Sequence, residues 1–232
     1  MKQIKSKIKF LLNNEHNRRN WIELQLKNIK EGSSILDAGC GKQQYKIFCD
    51  HLNYYAQDFG KYKKDEKDSF AAGKKNYKYG KLDYIGNIWE IDEVDNKFDV
   101  ILCSEVLEHI PFPYKTLKEF HRLLKPSGRL ILTFPSNCLR HQDPYFFSSG
   151  YSDRYMEYFL PKIGFEIEQI NPIGDYYKWL MVEMYRTAKK EGIVSSFLLL
   201  PAFVYFYFKQ RSPSIASVNT LCMGYHVLAK KK

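Results

Sequence analysis

Residues 34–44 of this 232-residue chain constrain its fold more than any other stretch. They read S-I-L-D-A-G-C-G-K-Q-Q, an apolar segment that ends in a glycine-rich turn. Ile35 and Leu36 predict a buried strand, and Gly39 and Gly41 predict a turn that can adopt positive φ and bring bare backbone against a ligand. Parallel α/β sheets bind their ligands at such turns, outside the carboxyl end of a strand. We therefore expect a strand, a ligand-binding turn and then a helix.

The turn does not match the two common phosphate-binding motifs. The dinucleotide fingerprint G-x-G-x-x-G would place its third glycine at Gln44, and a Walker A loop would end in Gly-Lys-Ser/Thr. Asp37 would repel a pyrophosphate, but it suits a ligand with a cationic amine and no phosphate. An ordinary strand-turn-helix corner is the alternative. In either interpretation a helix is expected over about 42–51.

A second acid follows the next predicted strand. Residues 53–58 read N-Y-Y-A-Q-D, a strand with Asp58 at its carboxyl end, 21 residues beyond Asp37. In a βαβ unit a carboxylate at this distance lies beside a ribose and can accept hydrogen bonds from both hydroxyls. The alternative is a surface aspartate in a turn. A lysine-rich connection follows over 59–81, and residues 82–88 predict a short strand and its exit.

The middle of the chain predicts two more strands. Residues 98–103 form a nearly continuous apolar run, F-D-V-I-L-C, as expected for a central parallel strand. E-V-L-E-H follows at 105–109, and apolar residues at helical spacing predict a helix over about 114–124. A turn at 125–128 then leads into a strand over 128–134.

Four motifs in this order and spacing resemble those of the class I S-adenosylmethionine (SAM)-dependent methyltransferases, type 11-like. They are L-D-A-G-C-G, F-D-V-I-L-C, E-V-L-E-H and L-K-P-S-G-R-L-I-L-T, and the resemblance covers about residues 33–170. Gln43 stands where that family usually has a third glycine. The resemblance implies an α/β, Rossmann-like class I methyltransferase fold. Its seven-stranded, mostly parallel sheet would have helices on both faces and a final antiparallel strand.

The resemblance also implies SAM as the cofactor. Asn87 stands where the family often has an acid facing the adenine amino group, and its side-chain carbonyl can accept from that amine. Ile88 could pack on the adenine ring, and the alternative is a polar turn residue beside a core isoleucine. The candidate cofactor-binding residues are Asp37, Gly39, Cys40, Gly41, Asp58, Asn87, Ile88 and Ser104.

Glu105 and His109 are the candidate catalytic residues. Methyl transfer from a sulfonium is an in-line displacement with a neutral leaving group. The enzyme therefore mainly positions the reactants, and it adds a base when the acceptor is a hydroxyl or an acidic carbon. His109 is the expected base because the ordinary pKa of histidine is near neutral. Alternatively, the pair only braces a loop or caps a helix.

No metal site is predicted in the leading interpretation, and the five cysteines have no zinc-type spacing. Glu105-x-x-Glu108-His109, with His141 further on, nevertheless resembles the metal-binding motif of small-RNA 3′-end 2′-O-methyltransferases. That resemblance, together with a basic surface, keeps a metal-assisted RNA methyltransferase as an alternative.

The chain is expected to form one methyltransferase domain. Residues 1–31 form a basic helical arm, 32–170 the SAM-binding core, 171–220 a helical and apolar insertion, and 221–232 the last strand and a basic tail. The expected apolar face of the arm comprises Trp21, Ile22, Leu24, Leu26 and Ile29.

Between the core motifs and the insertion lies an aromatic loop over 134–150. Ser152 is expected to cap a helix over about 153–160. The sixth strand is expected over 166–170 and the last over 223–229.

The insertion replaces a hairpin that is short in the resembled family. It combines a helical pattern over about 175–190 with an apolar run over 192–208, which has no charged residue and carries Pro201 in its middle. This run is just short of the roughly 18–20 residues that span a bilayer. Three interpretations stay open: a membrane span, a core or dimer-contact helix pair, and a helix that lies on a membrane or forms a greasy substrate lid.

Charge and cysteine usage bear on location and partners. The net charge is +10, concentrated in the arm, the 61–81 connection and the tail, which favours polyanions or is simply a solvated lysine surface. The unpaired cysteine pattern and the lack of a signal-peptide pattern predict a cytoplasmic protein, with membrane association through 192–208 left open.

The expected function is SAM-dependent methyl transfer to a small molecule, a sugar or a lipid-linked acceptor. The aromatic loop and the apolar insertion could build a closed pocket for such an acceptor. The alternatives are an RNA methyltransferase and a catalytically idle SAM-fold binding protein. The sequence does not distinguish a monomer from an oligomer.

Overall fold

A seven-stranded sheet forms the centre of the fold. The computed structural model describes residues 14–62 and 78–232. The predicted central run 98–103 lies in a strand whose side chains are nearly all buried. The strands are β1 (Ser34–Ala38), β2 (Asn53–Asp58), β3 (Tyr84–Ile85), β4 (Phe98–Ser104), β5 (Leu124–Pro135), β6 (Phe165–Ile173) and β7 (Gly224–Lys231).

The strand order is β3-β2-β1-β4-β5-β7-β6. Neighbours among β1 to β5 are parallel, whereas β7 is antiparallel to both β5 and β6. The chain moves outward from β1 to β3 and then continues at β4 on the other side of β1. The carboxyl ends of β1 and β4 therefore flank the switch point at which α/β sheets bind ligands. The prediction of a mostly parallel seven-stranded sheet with a final antiparallel strand is confirmed.

Six α-helices and two short 3₁₀ helices are described. The helices expected around 114–124, 153–160 and 175–190 are present, and Ser152 accepts from the Tyr155 backbone N–H as the predicted cap. The α-helices are α1 (Asn14–Lys27), α2 (Pro113–Leu123), α3 (Asp153–Ile163), α4 (Tyr176–Glu191), α5 (Ile193–Lys209) and α6 (Ile215–Thr220). The 3₁₀ helices cover Lys46–Phe48 and Leu107–His109.

Helices cover both faces of the sheet, as predicted. Alternate residues of β1 and β4 enter two different core clusters, because successive side chains of a strand point to opposite faces. Ile22 and Leu26 of α1 are fully buried in one cluster, and Leu117 and Phe120 of α2 are fully buried in the other. Leu24 is 56% exposed, so its predicted place on the apolar face is wrong. Ile22 and Leu26 are one turn apart, whereas Leu24 points to the opposite side of α1.

The prediction of a helix over 42–51 is wrong. The chain forms a series of turns there, with backbone hydrogen bonds from residue i+3 to residue i and only the short 3₁₀ helix. Gln43 has φ +56°, and a left-handed residue at this point stops an α-helix from starting at the glycine turn.

The prediction that a turn at 125–128 precedes the next strand is also wrong. β5 begins at Leu124 and continues through this stretch, and its pairing with β4 shifts register between Phe98 and Val100. Ser127 has φ +64°, so the strand absorbs the glycine- and proline-containing segment as an irregularity instead of ending there.

The predicted helical insertion before the last strand is confirmed, and it comprises α4, α5 and α6. β6 continues to Ile173, so the insertion starts slightly later than expected. Asp175 caps α4 through the Lys178 backbone N–H and accepts from the Ser217 hydroxyl of α6, both at 2.9 Å. This buried carboxylate joins the first helix of the insertion to the last.

Within the described residues, no helix is long and apolar enough to cross a membrane. The membrane-span interpretation of 192–208 is therefore wrong. Residues 1–13 of the predicted arm and 63–77 of the lysine-rich connection lie outside the described residues.

Candidate active site

A cavity of ≈ 250 Å³ lies at the carboxyl ends of β1, β2 and β4. Six of the ten predicted site residues line it, and they come from four different segments of the chain. They are Gly39, Asp58, Asn87, Ile88, Glu105 and His109. The sheet topology thus brings together the strand ends that the sequence motifs marked.

Gly39 lines the cavity and lies very close to the side chain of Val106. Its φ is +71°, and a Cβ added there would lie 2.6 Å from both γ-methyl groups of Val106. Its N–H donates to the backbone oxygen and to Oε1 of Gln57, at 2.9 and 3.1 Å. Only glycine fits this position, and the result is bare backbone facing the cavity.

The Asp58 carboxylate ties the turn after β1 to the end of β2. Oδ2 accepts from the Gly41 N–H at 3.0 Å, and Oδ1 accepts from the Gly60 N–H at 3.1 Å. Burial raises the pKa of Asp58, and these backbone hydrogen bonds act in the opposite direction. The Tyr79 hydroxyl and the Phe59 N–H also hydrogen-bond to this carboxylate, so its roughly four acceptor sites are occupied, and a ligand hydroxyl at the cavity would displace one of these donors.

Four predicted cofactor residues do not line the cavity. Asp37 is buried and accepts from the Tyr54 hydroxyl at 2.6 Å; burial, which exceeds the effect of this hydrogen bond, raises its pKa to about 7. Cys40 is also buried, and Gly41 contributes its N–H to Asp58. Ser104 shares hydrogen bonds with the hydroxyls of Tyr45 and Thr133. These four residues therefore support the glycine turn and its surroundings without lining the cavity.

Asn87 and Ile88 are neighbours in the lining of the cavity. Nδ2 of Asn87 donates to Oε1 of Glu90 at 2.6 Å, which leaves Oδ1 as the acceptor atom of the side chain. Ile88 is 6% exposed, belongs to the core and also lines the cavity. The pair therefore offers one acceptor beside one apolar surface.

Glu105 is held in a left-handed conformation, with φ +55°. Its carboxylate forms an ion pair of 3.0 Å with Arg18 of α1, and its N–H donates to the Thr133 carbonyl. Arg18 was missed in the sequence analysis, and only its place in a basic, amphipathic helix could have pointed to it. The arm thus reaches the cavity through a partly buried ion pair.

His109 lines the cavity as a neutral ring. Nδ1 lies 2.6 Å from the Tyr145 carbonyl oxygen, which can only accept, so Nδ1 carries the proton and Nε2 keeps a lone pair. Burial, with His141 nearby, lowers the pKa of His109 to about 4. The near-neutral pKa on which the base assignment was founded therefore does not hold in this structure.

Glu108 and His141 lie beside His109. One potential ligand atom from each of the three residues lies within 4.8 Å of the others. Nδ1 of His141 lies 2.8 Å from the Leu139 carbonyl, so its Nε2 also keeps a lone pair. Oε2 of Glu108 and Nε2 of His109 are buried without a hydrogen-bond partner among the described residues. Glu105, by contrast, pairs with Arg18 and lies outside this cluster.

Four residues that were not predicted, Gln57, Phe59, Tyr62 and Trp89, help to complete the cavity. Tyr145 and Phe147 come from the aromatic loop that was expected to form it, whereas no residue of the insertion 171–220 lines it, so the expected contribution of the insertion is wrong. Gln57 is 1% exposed, and its amide bridges the Gly39 N–H and the Gly86 carbonyl; its place directly before Asp58 is the signal that could have revealed it. Aromatic side chains form much of the remaining lining, and the Phe59 and Tyr145 rings meet edge to face with centroids 4.8 Å apart. The aromatic lining residues are Phe59, Tyr62, Trp89, Tyr145 and Phe147.

Sequence comparison with known proteins identifies a family and relatives that are similar to this chain. A methyltransferase-domain family model matches residues 13–169. The demethylmenaquinone methyltransferase of Bacillus velezensis is 29% identical over 163 residues, which cover 68% of this chain and 65% of that relative. The chain therefore matches slightly less than two thirds of the relative's length.

Two solved structures share the fold. The YcgJ protein of Bacillus subtilis superposes with a TM-score of 0.54 at 15% identity, covering 94% of this chain and 99% of that one. Phosphoethanolamine N-methyltransferase 2 of Haemonchus contortus, solved in complex with SAM, superposes with a TM-score of 0.52 at 17% identity, covering 97% of this chain and 55% of that one. At these identities the similarity concerns the fold alone.

The residues of the cavity fit SAM. A side chain on residue 39 would fill the turn, so its absence leaves backbone free to approach a ligand. Asp58 presents a carboxylate to the cavity that can accept from a ribose hydroxyl in exchange for one of its present donors, and Ile88 offers an apolar surface for a base. The family model, the sheet order and this fit together show that the chain belongs to the class I SAM-dependent methyltransferases.

Proposed function

We propose that this chain transfers a methyl group from SAM to a small molecule, a sugar or a lipid-linked acceptor. The observation that carries this proposal is the lining of the cavity, in which the glycine turn and Asp58 meet the aromatic side chains of residues 134–150. An aromatic, largely apolar cavity suits a compact acceptor that leaves water on binding. The name of the Bacillus velezensis relative, a demethylmenaquinone methyltransferase, also supports a small-molecule acceptor.

The proposed roles follow from the contacts. Gly39 and Asp58 hold the amino-acid and ribose parts of SAM, and Asn87 and Ile88 hold the adenine. SAM, when bound, supplies an electrophilic methyl group whose leaving group is neutral. Nε2 of His109 is the candidate base, because Nδ1 is already committed to the Tyr145 carbonyl; since burial lowers the pKa of the ring to about 4, this role suits an acidic acceptor hydroxyl. Glu105 positions the arm through Arg18.

The first test is transfer of a radiolabelled methyl group from SAM into a fractionated lysate of the source cell. Label in the lipid or soluble-sugar fraction is the expected result. Label confined to RNA would contradict the proposal. SAM binding without label in any fraction would favour a catalytically idle SAM-fold protein, after the assay is repeated with lysate of cells that lack this protein, in which the acceptor stays unmethylated.

Asp58→Ala tests the cofactor assignment directly. Loss of the carboxylate leaves ribose hydroxyls unpaired in a buried site, so SAM binding should weaken by roughly 1–3 kcal/mol, measured by isothermal titration calorimetry. Asp50→Ala is the matched control, because Asp50 is exposed and does not line the cavity. Equal affinities of the two variants would remove Asp58 from the cofactor site.

A second candidate function has one observation in its favour. The partner-free atoms of Glu108 and His109, with His141 beside them, are the donor set expected around a divalent cation in a metal-assisted RNA 2′-O-methyltransferase. The test is a short RNA incubated with SAM and Mn²⁺ or with SAM and chelator. A 3′ end that gains periodate resistance only with Mn²⁺ would favour this candidate, since 2′-O-methylation removes the vicinal diol.

A further inference from the structure

The outer face of α5 is the largest exposed apolar feature among the described helices. None of its 17 residues is buried, although its sequence is almost entirely apolar. Phe197 is 77% exposed and Leu198 70% exposed. The large side chains that α5 leaves in water are Ile193, Val194, Phe197, Leu198, Leu200, Val204, Tyr205 and Phe208.

These side chains form one continuous arc. At about 100° per residue they cover roughly 160° of the helix circumference. The half-buried residues Leu199, Phe203 and Phe206 point to the opposite side, where Phe206 stacks on Tyr177 of α4 with ring centroids 6.1 Å apart. The arc is therefore a face without a partner, not a scatter of single exposed residues, and faces of this kind mark binding surfaces.

Exposed basic residues stand at both ends of the arc. Lys189 and Lys190 lie in the last turn of α4, which ends at the exposed Glu191, so this end keeps a net positive charge; Lys209 is the last residue of α5, and Arg211 follows two residues later. A helix of 17 residues is about 25 Å long, so the two basic pairs stand about one helix length apart. An apolar arc between two basic ends matches a helix that lies in the plane of a membrane interface.

The packing of the insertion argues against other orientations. α5 is short of the roughly 20 residues that cross a bilayer, and Pro201 interrupts its middle. α4 packs along α5 and carries Glu183 and Arg186, so α5 would have to take charged side chains with it across the apolar layer. Both helices can remain at the interface without burying those charges.

Charge also argues against a second copy of the chain as the occupant. Both ends of the arc are basic, so two copies paired along α5 would bring lysine and arginine against lysine and arginine in either helix direction. The headgroups of anionic lipids attract both basic ends at once.

We propose that the outer face of α5 docks on an anionic lipid bilayer, with the helix in the plane of the interface and its two basic ends on the headgroups. The proposal concerns a binding surface and stands apart from the identity of the methyl acceptor. It predicts membrane attachment with or without SAM.

The experiment is flotation of the full chain with vesicles of phosphatidylglycerol and phosphatidylcholine in equal amounts, and with vesicles of phosphatidylcholine alone. Phe197→Glu places a charge in the centre of the arc and should lower the partition coefficient about tenfold or more. Lys209→Glu with Arg211→Glu should weaken binding to the anionic vesicles only. Ile215→Glu is the matched control, because Ile215 is 82% exposed in α6, outside the arc.

The expected result is flotation of the wild type and of Ile215→Glu with anionic vesicles, and weaker flotation as salt is raised. Circular dichroism and SAM binding show that each variant is folded. The proposal is overturned if the wild type does not float, if Phe197→Glu floats as well as the wild type, or if Ile215→Glu loses as much binding. It is also overturned if light scattering finds a dimer that only Phe197→Glu separates and no flotation occurs, which would assign the arc to a second copy.

Discussion

At the residue scale, unusual backbone conformations gather around the cavity. Gly39 has φ +71°, and two residues with side chains, Gln43 and Glu105, have φ +56° and +55°. A left-handed residue with a Cβ costs about 1–2 kcal/mol, so other contacts must hold it. Nε2 of Gln43 donates to the Lys81 carbonyl, and Glu105 pairs with Arg18. The chain thus adopts strained conformations around the cavity and the glycine turn.

Gly39→Ala tests whether the turn requires bare backbone. The new methyl group would carry both the cost of positive φ and the clash with Val106 at 2.6 Å, so the free energy of unfolding should fall by about 2–4 kcal/mol. SAM binding should weaken as well. Denaturant unfolding and calorimetry measure the two effects.

Gly32→Ala is the control for that variant, because Gly32 has φ +77° and no atom within 4 Å of the added Cβ. It should lose only the backbone part, about 1 kcal/mol, and should keep SAM affinity. Equal losses in the two variants would show that the Val106 contact does not matter.

The pH dependence of SAM binding tests Asp37. Burial raises the pKa of this carboxyl to about 7, so the ligand-free protein holds it protonated below that pH. A cationic amine held at the Gly39 turn favours the ionised form of the Asp37 carboxyl buried beneath that turn, and the dissociation constant for SAM should therefore rise, by at most tenfold per pH unit, as the pH falls below 7. Calorimetry between pH 5 and 7.5 measures it. Asp37→Asn should show no such slope, and a flat wild-type profile would separate the amine from Asp37.

At the element scale, α1 is part of the core and of the cavity at the same time. Ile22 and Leu26 are fully buried in a cluster with side chains of β1, β4 and β5, and Arg18 reaches Glu105 at the end of β4. Since one face of the sheet depends on this helix, loss of α1 packing should disturb the cavity as well as the core.

Ile22→Ala measures the contribution of α1. Removing a fully buried isoleucine should lower the free energy of unfolding by about 2–5 kcal/mol. Leu24→Ala, two residues away and 56% exposed, should change it by no more than about 0.5 kcal/mol. Thermal and denaturant unfolding of both variants decide the matter, and similar losses would mean that α1 packs in a different register.

At the scale of the whole molecule, the two ends of the described chain meet. Trp21 of α1 stacks on His226 of β7 with ring centroids 4.5 Å apart. β7 itself lies between β5 and β6, and the insertion of α4 to α6 precedes it. The fold is therefore closed by a contact between residues far apart in sequence.

Acid should weaken this closure. Burial, with the positive charge of Arg18 nearby, lowers the pKa of His226 from 6.5 to about 4. Between these values the unfolded chain binds the proton and the folded chain does not, so stability falls as pH falls. Compared with His226→Gln, the wild type should lose up to about 3 kcal/mol of unfolding free energy from pH 6.5 to pH 4. Denaturant unfolding over this range measures the difference; parallel profiles would contradict the assignment.

The sequence by itself determined the sheet, its direction and the place of the cavity. The apolar run of β4 and the glycine turn after β1 are local patterns, and a parallel sheet necessarily gathers its carboxyl strand ends at one edge. Gly39, Asp58 and His109 could be named for that reason. The same local logic failed at residues 42–51, because the left-handed Gln43 is held by a contact with Lys81, 38 residues away.

Only the tertiary structure decided the long-range contacts. The ion pair of Arg18 with Glu105, the burial that lowers the pKa of His109 and the exposure of the α5 arc each depend on which elements pack together. Burial and electrostatic shifts arise from neighbours that are remote in sequence, so no local pattern encodes them. A 17-residue apolar run predicts a helix that leaves water, and only the packing on α4 shows which of its faces remains open.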